Sequence, residues 1–201
     1  MKKILLVLIA LLSVAGIVFA GGNKDAASSN LPTIRLITDD TSIDDKSFNA
    51  AAWRGILEFY GDTWENQKKR GQLYDVVACQ TRDMYIPNLK QAADKGYDLI
   101  ITTGFTFAEA VGEVAALYPD QKFVIIDVDW VGKPNLAEFV YSEEQGSFLV
   151  GAAAALQAQA EGVKNPKFGF IGGVPGATIT KFEMGYIQGI RAVLPNAEIV
   201  D

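Results

Sequence analysis

The chain has 201 residues, with 18 Lys and Arg against 24 Asp and Glu and a formal net charge of −6, so it lacks the clustered basic charge that nucleic acid or an anionic membrane surface requires. It contains no histidine and one cysteine, Cys79. That excludes an internal disulfide, imidazole-based metal sites and any Ser-His-Asp or Cys-His catalytic arrangement.

Lys2 and Lys3 precede a nearly unbroken apolar run from Ile4 to Ala20, interrupted only by Ser13 and Gly16. A basic start, an apolar middle and the small-residue pattern Val18-Phe19-Ala20 have the layout of a secretory signal. Residues 1–20 are therefore predicted as a signal peptide cleaved after Ala20, which places the mature protein in the periplasm or on the outer face of the cytoplasmic membrane. The alternative is an uncleaved N-terminal anchor, for which the run falls a little short of the roughly 20 residues that span a bilayer. Residues 21–31, GGNKDAASSNL, are small and polar without periodicity and read as a flexible tether.

From Pro32 onward, short β-branched runs alternate with longer amphipathic segments. Strands are predicted at 33–38, 74–79, 98–103, 123–128, 138–141 and 167–171, several of them continuously apolar, as strands covered on both faces are. Helices are predicted at 47–59, 85–95, 107–117, 146–160 and 180–194. The repeated β-α order predicts an α/β fold with parallel sheets flanked by helices: an N-terminal α/β lobe at 32–142 and a second α/β lobe at 143–201. The Ala-rich segment 146–160, punctuated by Gly151, suits a helix packed closely on a sheet at a crossing between lobes. The polar stretch from Gly61 to Gly71 reads as a solvated connection, and Cys79 as a small core residue. Residues 197–201 resemble the start of a further strand, so the second lobe is expected to be incomplete in this chain, with a poorly covered sheet.

Ligands of open α/β sheets bind at the carboxyl ends of strands, and three such ends carry suggestive chemistry. The first strand runs into a loop holding Asp39, Asp40, Asp44 and Asp45 before Phe48 and Asn49. These carboxylates repel one another unless hydrogen-bond donors meet them. Asp44 or Asp45 either caps the following helix or reaches a ligand; Phe48 is either core or a stacking platform. A calcium site is disfavoured because the loop lacks the glycine and ligand spacing of an EF-hand. Gly104 permits close backbone approach at the third strand's end. Asp127, at the fourth, either closes a loop or accepts hydrogen bonds from sugar hydroxyls. In the later part, Gly172-Gly173-Val174-Pro175-Gly176 fits neither dinucleotide nor P-loop spacing, which leaves a nucleotide-dependent enzyme as a lesser alternative.

The segments DDKSFNAAAWRG (44–55), ITTGF (101–105), EEQGSFLVGAAAA (143–155) and GGVPGATITKFEMGYIQG (172–189) occur in this order. Together they resemble the basic membrane lipoprotein family, whose best understood members are purine nucleoside receptors of bacterial ABC importers. The resemblance implies the type I periplasmic-binding-protein fold, no catalysis and no cofactor. It implies that Phe48 and Phe182 sandwich the base from opposite lobes, and that Asp44, Asp45 and Asn49 meet base edges or order the loop. Gly104 and Gly173 would offer backbone groups, and Asp127 would accept from ribose. The implied partners are a purine nucleoside and an ABC permease, with membrane association only through the transporter or an N-terminal anchor. The same fold holding another solute, such as a sugar, is the alternative. Two departures stand out: no lipobox cysteine ends the signal, and the family's later ribose contacts fall beyond Asp201.

Overall fold

The computed structural model describes residues 31–200. The expected export signal, and all but the last residue of the tether, lie outside the described residues.

A five-stranded, fully parallel sheet forms the first unit, in the order β2-β1-β3-β4-β5, with β1 Ile34–Thr38, β2 Tyr74–Ala78, β3 Leu99–Thr103, β4 Lys122–Ile126 and β5 Leu136–Phe139. Helices α1 (Phe48–Tyr60), α2 (Tyr85–Asp94) and α3 (Ala108–Leu117) make the crossovers. All five residues of β1 are buried, as its interior position in a sheet covered on both faces demands. Its side chains alternate between two cores. Ile34 and Leu36 pack with Trp53, Ile56, Leu57 and Tyr60 of α1, while Ile37 packs with Leu89 of α2 and Val111 and Val114 of α3. Arg35 lies in this strand because the register sets it opposite Asp75, whose Oδ2 it reaches at 2.8 Å.

Helix α1 buries Asn49, Ala50, Trp53, Ile56, Leu57 and Tyr60, a spacing of three and four that makes one face. Gly61 ends it at φ 70°, a left-handed conformation that glycine enters without strain. The polar connection that follows is less solvated than expected. Asp62 is buried and accepts from the Tyr74 hydroxyl and the Lys69 N–H. Arg70 lies 5.3 Å from the Trp53 ring centroid. Cys79 is buried as expected, and burial, opposed by the Asn88 side chain, pushes its thiol up to about 11.

The second unit contains α4 (Glu143–Ala160), β6 (Lys167–Gly169), α5 (Ala177–Val193) and β7 (Glu198–Val200), with β6 and β7 paired in parallel. Ala155, Phe168 and Ile190 form its buried centre. Helix α4 starts three residues before its expected beginning, and Gly151 serves a different contact from the one expected. A Cβ at Gly151 would lie 2.1 Å from the Tyr186 carbonyl oxygen, so the close approach is to α5 rather than to a sheet. Gly185 and Gly189 of α5 meet the α4 backbone equally closely, at 2.2 Å from Glu144 O and 2.0 Å from Phe148 O. Among the described residues no helix is long and apolar enough to cross a membrane.

Candidate functional site

The loop after β1 is organised by two acidic side chains. Asp39 Oδ1 accepts from the Thr41 N–H and hydroxyl and from Asn49 Nδ2 at 2.9 Å. Asp45 Oδ1 accepts from the N–H groups of Ser47 and Ala50, both at 2.9 Å, and Oδ2 accepts from Asn49 N at 3.0 Å. It thus satisfies donors at the amino end of α1 that have no partner within the helix. Burial works to raise the Asp45 carboxyl, but the three N–H donors outweigh it and hold the group below its ordinary value. Asn49 is buried, donates to Asp39 and Thr41, and accepts from the Thr103 hydroxyl at the end of β3. Asp45 and Asn49 therefore order the loop, while Asp44 is exposed and bonded to no described residue.

This loop presents Phe48, 43% exposed, at the start of α1. Phe48 lines a cavity of about 590 Å³ whose other walls come from the crossing residue Tyr141, from Ser147 and Val150 of α4, from Phe170 and Ile171 beyond β6, and from Phe182 of α5. Two phenyl rings from different units thus share one space. The Phe182 carbonyl accepts a hydrogen bond from the Ser147 hydroxyl, so its backbone is tied to α4. Phe170 and Ile171 are free to line the cavity because β6 makes only three rungs and ends at Gly169, two residues earlier than expected.

Glu143 also lines this cavity, and its charge and that of Lys181 act on Asp127. Strand β4 ends at Ile126 because Asp127 turns to φ 75°, and the Asp127 N–H donates to Phe139 O at 2.7 Å. Its side chain is 6% exposed and accepts no hydrogen bond from the described residues. Burial foremost, then the Glu143 carboxylate, push the Asp127 carboxyl up, and Lys181 opposes them. Glu143, in the first turn of α4, is 8% exposed. Its Oε1 accepts from Tyr141 N at 3.2 Å. Oε2 has no hydrogen-bond partner and sits 3.6 Å from Lys181 Nζ, inside ion-pair range but longer than a hydrogen bond.

Gly104 takes φ 90° and has open space where a Cβ would stand. Its N–H donates to Ile126 O and its carbonyl accepts from Phe107 N, so what remains for a ligand is the carbonyl's second lone pair. Gly173 lies in the exposed loop between β6 and α5, also with open space around it. Sequence reasoning passed over Glu143, Ser147 and Lys181. The acidic pair Glu143-Glu144 was the available signal for an earlier start to α4, since carboxylates favour the first helical turn.

Parallel strand ends opening on an aromatic cavity that two α/β units line together define a solute-binding architecture. The chain belongs to the family of PnrA-like ABC transporter substrate-binding proteins, which it matches over residues 34–201. This class binds solutes and is not enzymatic. Over 175 residues the chain is 35% identical to the CD4+ T-cell-stimulating antigen of Listeria innocua serovar 6a, covering 87% of this chain and 47% of the relative. It is 32% identical over 197 residues to the ABC transporter nucleoside-binding protein BmpA of Lactococcus lactis subsp. cremoris, covering 95% and 53%. A solved ABC transporter solute-binding protein from Aeropyrum pernix K1 superposes with a TM-score of 0.68 at 27% identity, covering 84% of this chain and 46% of that one. The chain spans about half the length of the curated relatives it matches.

Proposed function

We propose that this protein is an exported receptor that captures purine nucleosides and hands them to the permease of an ABC importer. The observation that carries the reading is the shared cavity of Phe48 and Phe182, two rings from different units, which the buried Glu143 carboxylate also lines; the charge of Glu143 in turn acts on the buried Asp127. Flat rings suit the faces of a purine, and an ionised carboxylate suits the paired hydroxyls of its ribose. A cavity of about 590 Å³ is of the size that small solutes occupy. A relative named as nucleoside-binding supports the same ligand class, and the basic, then apolar leader supports export. Closure of the two units around the solute would be the signal to the permease.

The test is calorimetric titration with inosine, with glucose as the control solute. Inosine binds, glucose does not, and Phe48→Ala weakens inosine by about tenfold to a hundredfold, the loss of one stacking face at roughly 1–3 kcal/mol. Unchanged inosine affinity in Phe48→Ala would make the ring ordinary packing and sink the assignment.

A further inference from the structure

Resting on the nucleoside reading above, we propose that Thr103 is a positioning residue for solute capture: its hydroxyl locks the Asn49 amide, and through it the loop that presents the Phe48 ring. Its part is to hold the stacking ring in place, not to meet the solute.

The loop between β1 and α1 does not keep its shape by local preference. Ser42 and Lys46 stand at φ 57° and φ 53°, a left-handed region that residues with side chains enter at a cost. Ser47, the residue before α1, makes no side-chain cap. A segment strained in this way holds one conformation only where its surroundings impose it.

Two side chains impose it. Asp45 gathers the N–H groups of Ser47, Asn49 and Ala50 around one carboxylate. Asn49, 3% exposed, gathers side chains: its Nδ2 donates to Asp39 Oδ1 at 2.9 Å and to Thr41 Oγ1 at 3.0 Å. A carboxylate only accepts, so the Asp39 contact fixes which end of the amide carries the nitrogen. The Asn49 oxygen therefore faces Thr103, and the Thr103 hydroxyl is its donor. Three of the four hydrogen-bonding positions of the amide are filled from within the protein, which makes Asn49 a brace rather than a reader of the solute.

The other members of this network lie between residues 39 and 50, whereas Thr103 comes from β3. The register sets Ile37 of β1 opposite Thr102, so Thr103 is next at the carboxyl edge of the sheet, where it is buried. It thus ties a strained loop to the central sheet, while the Phe48 ring stands exposed in the cavity it shares with Phe182. Without the hydroxyl the loop loses that tie, and Asn49 Oδ1 is left buried without its donor. The ring is then ordered only on binding, and such ordering is taken from the affinity.

The experiment titrates the wild-type chain, Thr103→Val, Phe48→Ala and the double variant with inosine in a calorimeter, with urea unfolding of each beside it. Valine keeps the branching of threonine and removes the donor. Thr103→Val is expected to weaken inosine by about tenfold, within the range of coupled contacts, and to add no further loss in the Phe48→Ala background, where there is no ring to place. Thr103→Ser, which keeps the donor, recovers most of the affinity. Should Thr103→Val fail to fold, Thr103→Ala takes its place in the same cycle with the same expectations. Wild-type affinity in the variant without the hydroxyl overturns the proposal and leaves the nucleoside reading in place. An equal loss with and without Phe48 also overturns it, since that marks general damage rather than placement of the ring. A wild-type chain that does not bind inosine overturns the nucleoside reading and this inference with it.

Discussion

Replacing Gly189 with alanine sets two opposed effects against each other. Alanine is the better helix former by about 1 kcal/mol in a helix interior, so at an open position the change stabilises. At Gly189 the added Cβ would lie 2.0 Å from Phe148 O and 2.8 Å from Ala152 N, whereas ordinary contact begins at 3.4 Å. Helices α4 and α5 would have to part by about 1.4 Å, which is the difference between the 2.0 Å and 3.4 Å separations. Neither contacting atom can turn aside, because both belong to the α4 backbone. Separation on that scale loosens Ile190 against Ala155 and Phe168. Overpacking of this kind costs about 1–3 kcal/mol, so the steric effect outweighs propensity and the net change is destabilising. Gly55 of α1 is the control, since nothing lies within 4 Å of its added Cβ; Gly55→Ala should stabilise by about 1 kcal/mol. Urea unfolding of the two variants beside the wild type reads both. A Gly189→Ala protein as stable as Gly55→Ala would refute the close helix contact.

Asp45→Ala should destabilise by about 1–2 kcal/mol, as loss of a strong helix cap does. Because the folded Asp45 carboxyl is held below its ordinary 3.8, its contribution is present above that value and fades as pH falls through the folded one. Chemical denaturation from pH 7 down to pH 2.5 should show the variant and wild type converging; a constant gap would rule out the carboxylate as the cause. Asp127→Asn should do the reverse in the solute-free protein. Its carboxyl is raised, so the folded state is favoured by protonation below 3.8 and loses that advantage as pH rises through the folded value. The neutral amide should therefore stabilise at pH 7, by about 1 kcal/mol, while weakening inosine binding; a variant less stable at pH 7 would contradict the assignment of an uncompensated buried charge.

The first four strands were legible because their β-branched runs are continuous and are separated by well-spaced helices, and each appears within two residues of its predicted bounds. Phe48 and Asp127 could be singled out as residues at strand ends, where side chains leave the sheet. What periodicity could not reveal was the origin of α4, since Glu143-Glu144-Gln145 carries no apolar rhythm and only its acidity marks a helix start. Two functional candidates went unread with it, for Glu143 and Ser147 matter only once the helix places them beside α5. Gly185 and Gly189, four residues apart, held a signal for close helix contact, yet the partner Gly151 lies 34 positions earlier than Gly185 in the chain. Likewise, a buried Asp62 within a polar loop is visible only when Tyr74 and Lys69 close around it.

Asp127 combines three features that each disfavour the folded state. Its backbone is left-handed at φ 75° without being glycine, its carboxylate is buried, and the Glu143 carboxylate disfavours its charge further, an effect that Lys181 opposes. If the residue merely closed the loop after β4, glycine would relieve the backbone strain and asparagine would tolerate the same φ without the charge. Neither would change the N–H bond to Phe139 O, which belongs to the main chain. Strain and unmet acceptors gathered at one side chain are therefore better explained by a partner that arrives from outside. On the proposed function, a solute hydroxyl would satisfy the carboxylate. On that reading, the same unsatisfied charge that lowers the stability of the empty protein favours the solute-bound state, so occupancy and stability are coupled.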